Sequence, residues 1–204
     1  MFIVFEGSDG VGKSTQIALL ADYFKQKGIA YILTREPGGT PVGEKTRQLL
    51  LDPQNPMHAL TEAYLYAASR AEHVQKVIAP ALKQGISVIG DRFVHSSMAY
   101  QGFGRGLGVE TVREINQRAL GGVMPDRVYL LMHPSLIGIA RKHAQKHGDL
   151  DRLEREGKDF FARVEQGFAH LAASDASILP LDASLSVEDI ASLIREDVDR
   201  VLKA

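Results

Sequence analysis

The chain contains no cysteine. That excludes disulfides, thiolate zinc sites and a cysteine nucleophile, and it agrees with a reducing compartment. It also lacks an excess of either charge: 24 lysines and arginines face 25 acidic residues, a formal net charge of -1. No global field therefore draws the protein to nucleic acid or to an anionic membrane, and any anion site has to be local. The N-terminus shows no basic stretch followed by a signal-length apolar run, and no run approaches the ~20 apolar residues of a membrane span. The expectation is a soluble, cytoplasmic protein with neither nucleic acid nor membrane as partner.

What is present is an ordinary globular composition, 45% hydrophobic and 24% charged over 204 residues. This is enough for one sizeable α/β domain, and too little for two ordinary ones. Short apolar runs at 2–5, 31–33, 86–89, 128–132 and 178–181 alternate with segments of helical period at 13–27, 42–51, 59–84, 109–120 and 187–202. Strands alternating with helices indicate a parallel sheet covered on both faces. Pro80 is expected to kink the third helix, because a proline inside a helix removes a backbone bond. The charged, largely helical stretch 134–173 is interrupted at Gly148, which suggests a hinge or lid.

The most informative stretch follows the first apolar run. Gly7, Ser8, Asp9, Gly10, Val11, Gly12, Lys13 and Ser14 fit G-x-x-x-x-G-K-[ST], a phosphate-binding loop between a strand and a helix. Glycines let backbone N–H groups converge on an anion, and the helix N-terminus adds partial positive charge. Lys13 in the first turn opposes the helix macrodipole unless an anion sits there. A bound nucleoside triphosphate resolves the conflict, with Lys13 on the β and γ phosphates and the Ser14 hydroxyl on Mg²⁺. Such loops serve kinases, GTPases and DNA-handling ATPases alike, so the loop alone does not fix the reaction. No N-K-x-D guanine-reading motif is present, since Asn116 is followed by Gln117 and Arg118. The central run ISVIG ends in Asp91 and Arg92 at the ligand-binding edge of a parallel sheet. Asp91 suits Mg²⁺, and Arg92 suits an acceptor phosphate.

Taken together, EGSDGVGKST, TREPGGTPVGEKTR, YAASR, GDRFVHSSMAYQGFGRG, the pair Pro125-Asp126, DLDRLE and LDAS occur in an order and spacing that resemble bacterial thymidylate kinases, from residue 1 to about 195. TREPGGT and the run from Asp91 to Gly106 are much more specific than the phosphate loop. The resemblance implies a three-layer P-loop kinase fold with a five-stranded parallel sheet of order 2-3-1-4-5 and a helical lid near 138–155. It implies transfer of the γ-phosphoryl group of ATP to dTMP with Mg²⁺, by a homodimer.

Site residues carried over by the resemblance are Glu36, Arg47 and Arg92 on the phosphate and sugar side of dTMP. Tyr66 matches the aromatic that stacks on thymine. Arg70, Ser97 and Gln101 match the readers of the base, Tyr100 the tyrosine that crowds the ribose 2′ position, and Asp9 the carboxylate that accepts the sugar 3′-hydroxyl. In this family an arginine from the phosphate loop or from the lid stabilises the transferring group. Ser8, Asp9, Gly10 and Val11 are not basic, so the lid has to supply it: Arg141 first, Arg152 second, with Lys146 in reserve. His143 and His147 have i, i+4 spacing, but no third metal ligand is near in sequence.

Overall fold

The computed structural model describes residues 1–133 and 150–202. Five parallel strands form one sheet in the order β2-β3-β1-β4-β5. They are β1 (Phe2–Glu6), β2 (Tyr31–Arg35), β3 (Ser87–Asp91), β4 (Arg127–Met132) and β5 (Ile178–Asp182). Strand β1 lies at the centre and is buried at every position, which explains an unbroken apolar run where a half-exposed strand would alternate. Edge strand β2 alternates between partly covered and exposed residues, and Leu33 is open to solvent.

Successive side chains of a strand point to opposite faces, and the core divides accordingly. On one face Phe2, Val4, Val88, Val128 and Leu130 pack with Val74, Ile78, Phe93, Phe160 and Phe168. On the other, Ile3, Phe5, Ile89, Tyr129 and Leu131 meet Leu20 and Phe24 of α1 (Lys13–Lys27) and Ile190, Ile194 and Val198 of the last helix. The sheet is thus sandwiched between two helical layers, the architecture expected of a P-loop kinase.

Helix boundaries follow local chemistry. Helix α1 ends at Gly28 in a left-handed conformation, where Ile29 N donates to Phe24 O. Helix α2 (Pro41–Leu51) starts with Pro41 in its first turn and Thr40 as N-cap, whose hydroxyl accepts from Gly43 N at 2.9 Å. The expected single helix over 59–84 is instead α3 (Ala59–His73), a π-helical turn over Val74–Ile78, and α4 (Ala79–Lys83). Pro80 has no N–H and crowds the carbonyl four residues back, so the widened turn lies just ahead of it. A second π-helical turn, Met98–Gly104, continues the short helix α5 (Val94–Ser97). The remaining helices are α6 (Val109–Leu120), α7 (Lys158–Ser174) and α8 (Val187–Val201). Gly148 and most of the expected lid, including Arg141, Lys146, His143 and His147, lie outside the described residues.

Candidate active site

Strands β1, β2 and β3 end side by side, so Glu6, Arg35 and Asp91 come together at the C-terminal edge of the sheet. The turn after β1 runs tightly against β4. A Cβ on Gly7, whose φ is 126°, would stand 2.2 Å from Leu131 O, so only glycine fits. Gly12, with φ 103°, starts α1 without a side-chain cap, leaving the first N–H groups of the helix facing the cleft. Lys13 is buried and folds back, its Nζ donating to Gly7 O at 3.0 Å and Ser8 O at 2.8 Å. Burial, reinforced by Arg92, pulls its ammonium down to about 8.

Arg92 has φ 69°, the one non-glycine residue of positive φ among the described residues. That conformation costs roughly 1–2 kcal/mol. Glu6, fully buried at the end of β1, offsets it. Its Oε1 accepts from Phe93 N at 2.8 Å and from Ser96 N at 3.1 Å, and its Oε2 accepts from the Ser96 hydroxyl. Hydrogen bonds to a charged group contribute about 1.5–3 kcal/mol each, so the turn is held. Arg92 then reaches across to Asp9 Oδ1 (2.7 Å) and Ser96 Oγ (2.9 Å), with Tyr100 under its guanidinium at 5.3 Å. Burial opposes its charge, and Tyr100, Asp9, Asp91 and Glu6 more than offset this.

Two clefts open here. One, of about 620 Å³, is lined by Gly10, Gly12, Lys13, Ser14 and Asp91 of the expected triphosphate side. The other, of about 110 Å³, is lined by all nine residues carried over for dTMP: Asp9, Glu36, Arg47, Tyr66, Arg70, Arg92, Ser97, Tyr100 and Gln101. Asp9, Glu36, Arg47 and Arg92 line both, so the clefts share a charged wall. In the first cleft Asp91 Oδ1 is buried without a hydrogen-bond partner, a position that a cation would satisfy, with the Ser14 hydroxyl lining the same space. Gly7, Ser8 and Val11 shape the loop from behind and line neither cleft.

The second cleft has a floor of engaged polar groups. Arg70 is buried and gives Nε to Glu36 Oε2 at 2.8 Å, Nη1 to Asn116 Oδ1, and Nη2 to Phe93 O and Ser97 Oγ, both at 3.1 Å. Glu36, which precedes a cis peptide to Pro37, also meets His73 Nδ1 at 2.9 Å, and His73 Nε2 lies 2.5 Å from the Thr34 hydroxyl. Arg47 donates to Pro37 O at 3.1 Å; burial and then Arg35 lower it from its usual value. Burial pushes the Tyr66 hydroxyl up, which keeps it protonated.

Of the two lid arginines considered, only Arg152 is described. It lines neither cleft, because its Nε donates to Leu50 O and its Nη1 to Glu62 Oε2 at 2.6 Å. Glu6, Glu62, His73 and Asn116 escaped the sequence reading. The signal for Glu62 was available: Glu62, Tyr66 and Arg70 recur every four residues, a polar stripe on one face of a helix whose neighbours Ala63 and Ala67 are buried.

Residues 5–194 match the family model described as thymidylate kinase. The thymidylate kinase of Symbiobacterium thermophilum is 46% identical over 204 residues, covering 99% of this chain and 94% of the relative. That of Finegoldia magna is 48% identical over 201 residues, 98% of each. That of a Synechococcus species is 49% identical over 193 residues, 94% of this chain and 91% of the relative. With the sheet order, the phosphate loop and the paired clefts, these matches make the chain a member of the thymidylate kinase family.

Proposed function

We propose that this chain transfers the γ-phosphoryl group of ATP to dTMP, giving dTDP and ADP. The supporting observation is the shared wall: Asp9, Glu36, Arg47 and Arg92 face both the phosphate-loop cleft and the cleft lined by the nine acceptor residues. That is where the two reacting phosphates of a kinase have to meet.

The acceptor atom is a phosphate oxygen, largely ionised at neutral pH because its second pKa is near 6, so no strong general base is needed. Positioning and charge neutralisation supply most of the acceleration. Lys13 exchanges the carbonyls of Gly7 and Ser8 for oxygens of the β and γ phosphates. Arg92 and Arg47 hold the dTMP phosphate, which requires Arg92 to loosen its bond to Asp9 and frees that carboxylate for the sugar 3′-hydroxyl. Tyr66 stacks on the base, Arg70, Ser97 and Gln101 read its edge, and Tyr100 crowds the 2′ position. Asp91 and Ser14 would hold Mg²⁺, which when bound neutralises charge on the phosphates. Arg141 is assigned the lid cation, since Arg152 is engaged by Glu62 and Leu50.

A steady-state panel of dTMP, dUMP, dCMP, UMP and dGMP with ATP and Mg²⁺ tests the reading. The expected result is highest kcat/KM for dTMP, and clear preference for any other monophosphate would sink it. We also infer a cytoplasmic homodimer: Leu49, Leu60 and Tyr64 on α2 and α3 expose apolar surface, and among the described residues no helix is long and apolar enough to cross a membrane. Light scattering should give twice the chain mass of 22.3 kDa, and the mass of a single chain would reject the dimer.

A further inference from the structure

Gln101 is buried at the floor of the acceptor cleft, and the identity of the atom it presents there decides which bases fit. Its Nε2 donates to Glu62 Oε1 at 2.7 Å, and among the described residues no hydrogen bond reaches its Oε1. Glu62 is itself fully buried at 0% exposure. Its second oxygen, Oε2, accepts from Arg152 Nη1 at 2.6 Å and Arg105 Nε at 3.1 Å, with Arg105 Nη2 in ion-pair contact at 3.0 Å, while Oε1 has only a longer share of Arg105 Nε at 3.3 Å beside Gln101. A carboxylate between two guanidinium groups accepts and does not donate. The end of Gln101 that meets it therefore has to be the amide NH₂, and the carbonyl is left for the cleft. Beside it, Arg70 has one Nη1 N–H without a partner among the described residues, because Asn116 takes only the other.

We propose that Glu62 is a specificity-positioning residue: by pinning the Gln101 amide it turns a carbonyl toward the base and selects pyrimidines that carry an N3–H. This deepens the proposed dTMP kinase activity and rests on it. Thymine and uracil offer N3–H to the Gln101 carbonyl and O4 to the Arg70 N–H. Cytosine offers an N3 lone pair to that carbonyl and a 4-amino group to that N–H, two mismatches against buried polar side chains. Glu62 touches no substrate in this scheme and acts through Gln101.

Glu62→Gln tests it, because the two arginines demand that the new amide keep its oxygen on their side. Its NH₂ then faces Gln101, which has to turn its own carbonyl inward and present NH₂ to the base. The ratio of kcat/KM for dTMP to that for dCMP should fall by about ten- to hundredfold. The dTMP to dUMP ratio should hold, since both bases carry N3–H. A merely structural role would lower all three substrates together and leave both ratios in place, overturning the proposal. Glu62→Asp is the second variant: it keeps the charge opposite Arg105 and Arg152 and withdraws the acceptor from Gln101, and should lower the first ratio less. If neither variant melts cooperatively, neutron diffraction of the wild-type protein with dTMP decides. ND₂ on the Glu62 side supports the assignment, and oxygen there overturns it. Failure of the wild type to phosphorylate dTMP would instead remove the proposed function, a distinct result.

Discussion

The two clefts share a wall but satisfy their polar atoms differently. On the base side, partners are already in place: Arg70 has four hydrogen bonds, Glu36 holds Arg70 and His73, and Glu62 holds Gln101, Arg105 and Arg152. On the phosphate side, Asp91 Oδ1 is orphaned and Lys13 rests on two backbone carbonyls in surroundings that disfavour its charge. The first is a rigid template whose donors and acceptors are fixed before anything binds, which suits discrimination. The second holds a buried ammonium on neutral carbonyls beside an unbonded carboxylate oxygen, which suits a polyanion and its cation. Selectivity should reside in the former and turnover in the latter.

The sharpest break of that contrast is Lys13→Ala. It removes a group that acts on charge developing in transfer, so kcat should fall by about 10²–10³-fold while the melting temperature stays near wild type. Unfolding along with the loss of activity would refute the division. The same residue carries a pH signature. Its folded-state pKa near 8 lies below the ordinary lysine value, so the free protein sheds this proton as pH rises through about 8. Nucleotide affinity measured by calorimetry should therefore weaken between pH 7 and pH 9, and Lys13→Ala should show no such decline. For stability the sign is opposite: the buried charge is a burden at low pH, relieved from about pH 8 toward the unfolded value near 10.4, so stability gains in that window.

Glu6→Gln probes the wall between the clefts. An amide cannot accept from Phe93 N, Ser96 N and the Ser96 hydroxyl together, so the turn holding Arg92 at positive φ loosens. A stability loss of about 1–3 kcal/mol follows from the unmatched donors. The expected kinetic result is a fall of about tenfold in kcat/KM for dTMP with a smaller change in the KM for ATP. Equal losses toward both substrates would mean that Glu6 serves the sheet and not Arg92.

Legibility in the sequence divides along the same line. The glycine-rich turn, the strand order and the nine residues that come to line the smaller cleft were readable because each depends on a local pattern or on a motif shared with a family: glycines at fixed offsets, or a buried run ending in Asp91-Arg92. Glu6, His73 and Asn116 were not, because their partners lie 87 to 90 residues away for Glu6 bonded to Phe93 and Ser96, 37 away for His73 bonded to Glu36, and 46 away for Asn116 bonded to Arg70. A buried carboxylate looks the same in a sequence as a solvated one until the fold brings its donors. The π-helical turn ahead of Pro80 was half legible: the proline announced a disturbance, but packing of Val74 and Ile78 into the core chose its form.

The smallest expected effect comes from a group remote from both clefts. His95 on α5 and Ser177 before β5 converge on Asp175, and these hydrogen bonds, His95 first, hold its carboxyl well below the usual range. A depressed folded-state pKa stabilises the protein above the unfolded value near 4 and loses that contribution as pH falls below it. Since Asp175 is about a third exposed, solvent screening limits the contribution to about 0.5–1 kcal/mol at neutral pH. Asp175→Asn should thus lower the melting temperature slightly at pH 7, close the gap to wild type progressively as pH falls below about 4 and completely only below the depressed folded-state value, and leave kcat and both KM values unchanged. A kinetic change in this variant would show that α5, which carries Ser96 and Ser97, transmits strain into the acceptor cleft, and the rigidity ascribed to that template would have to be given up.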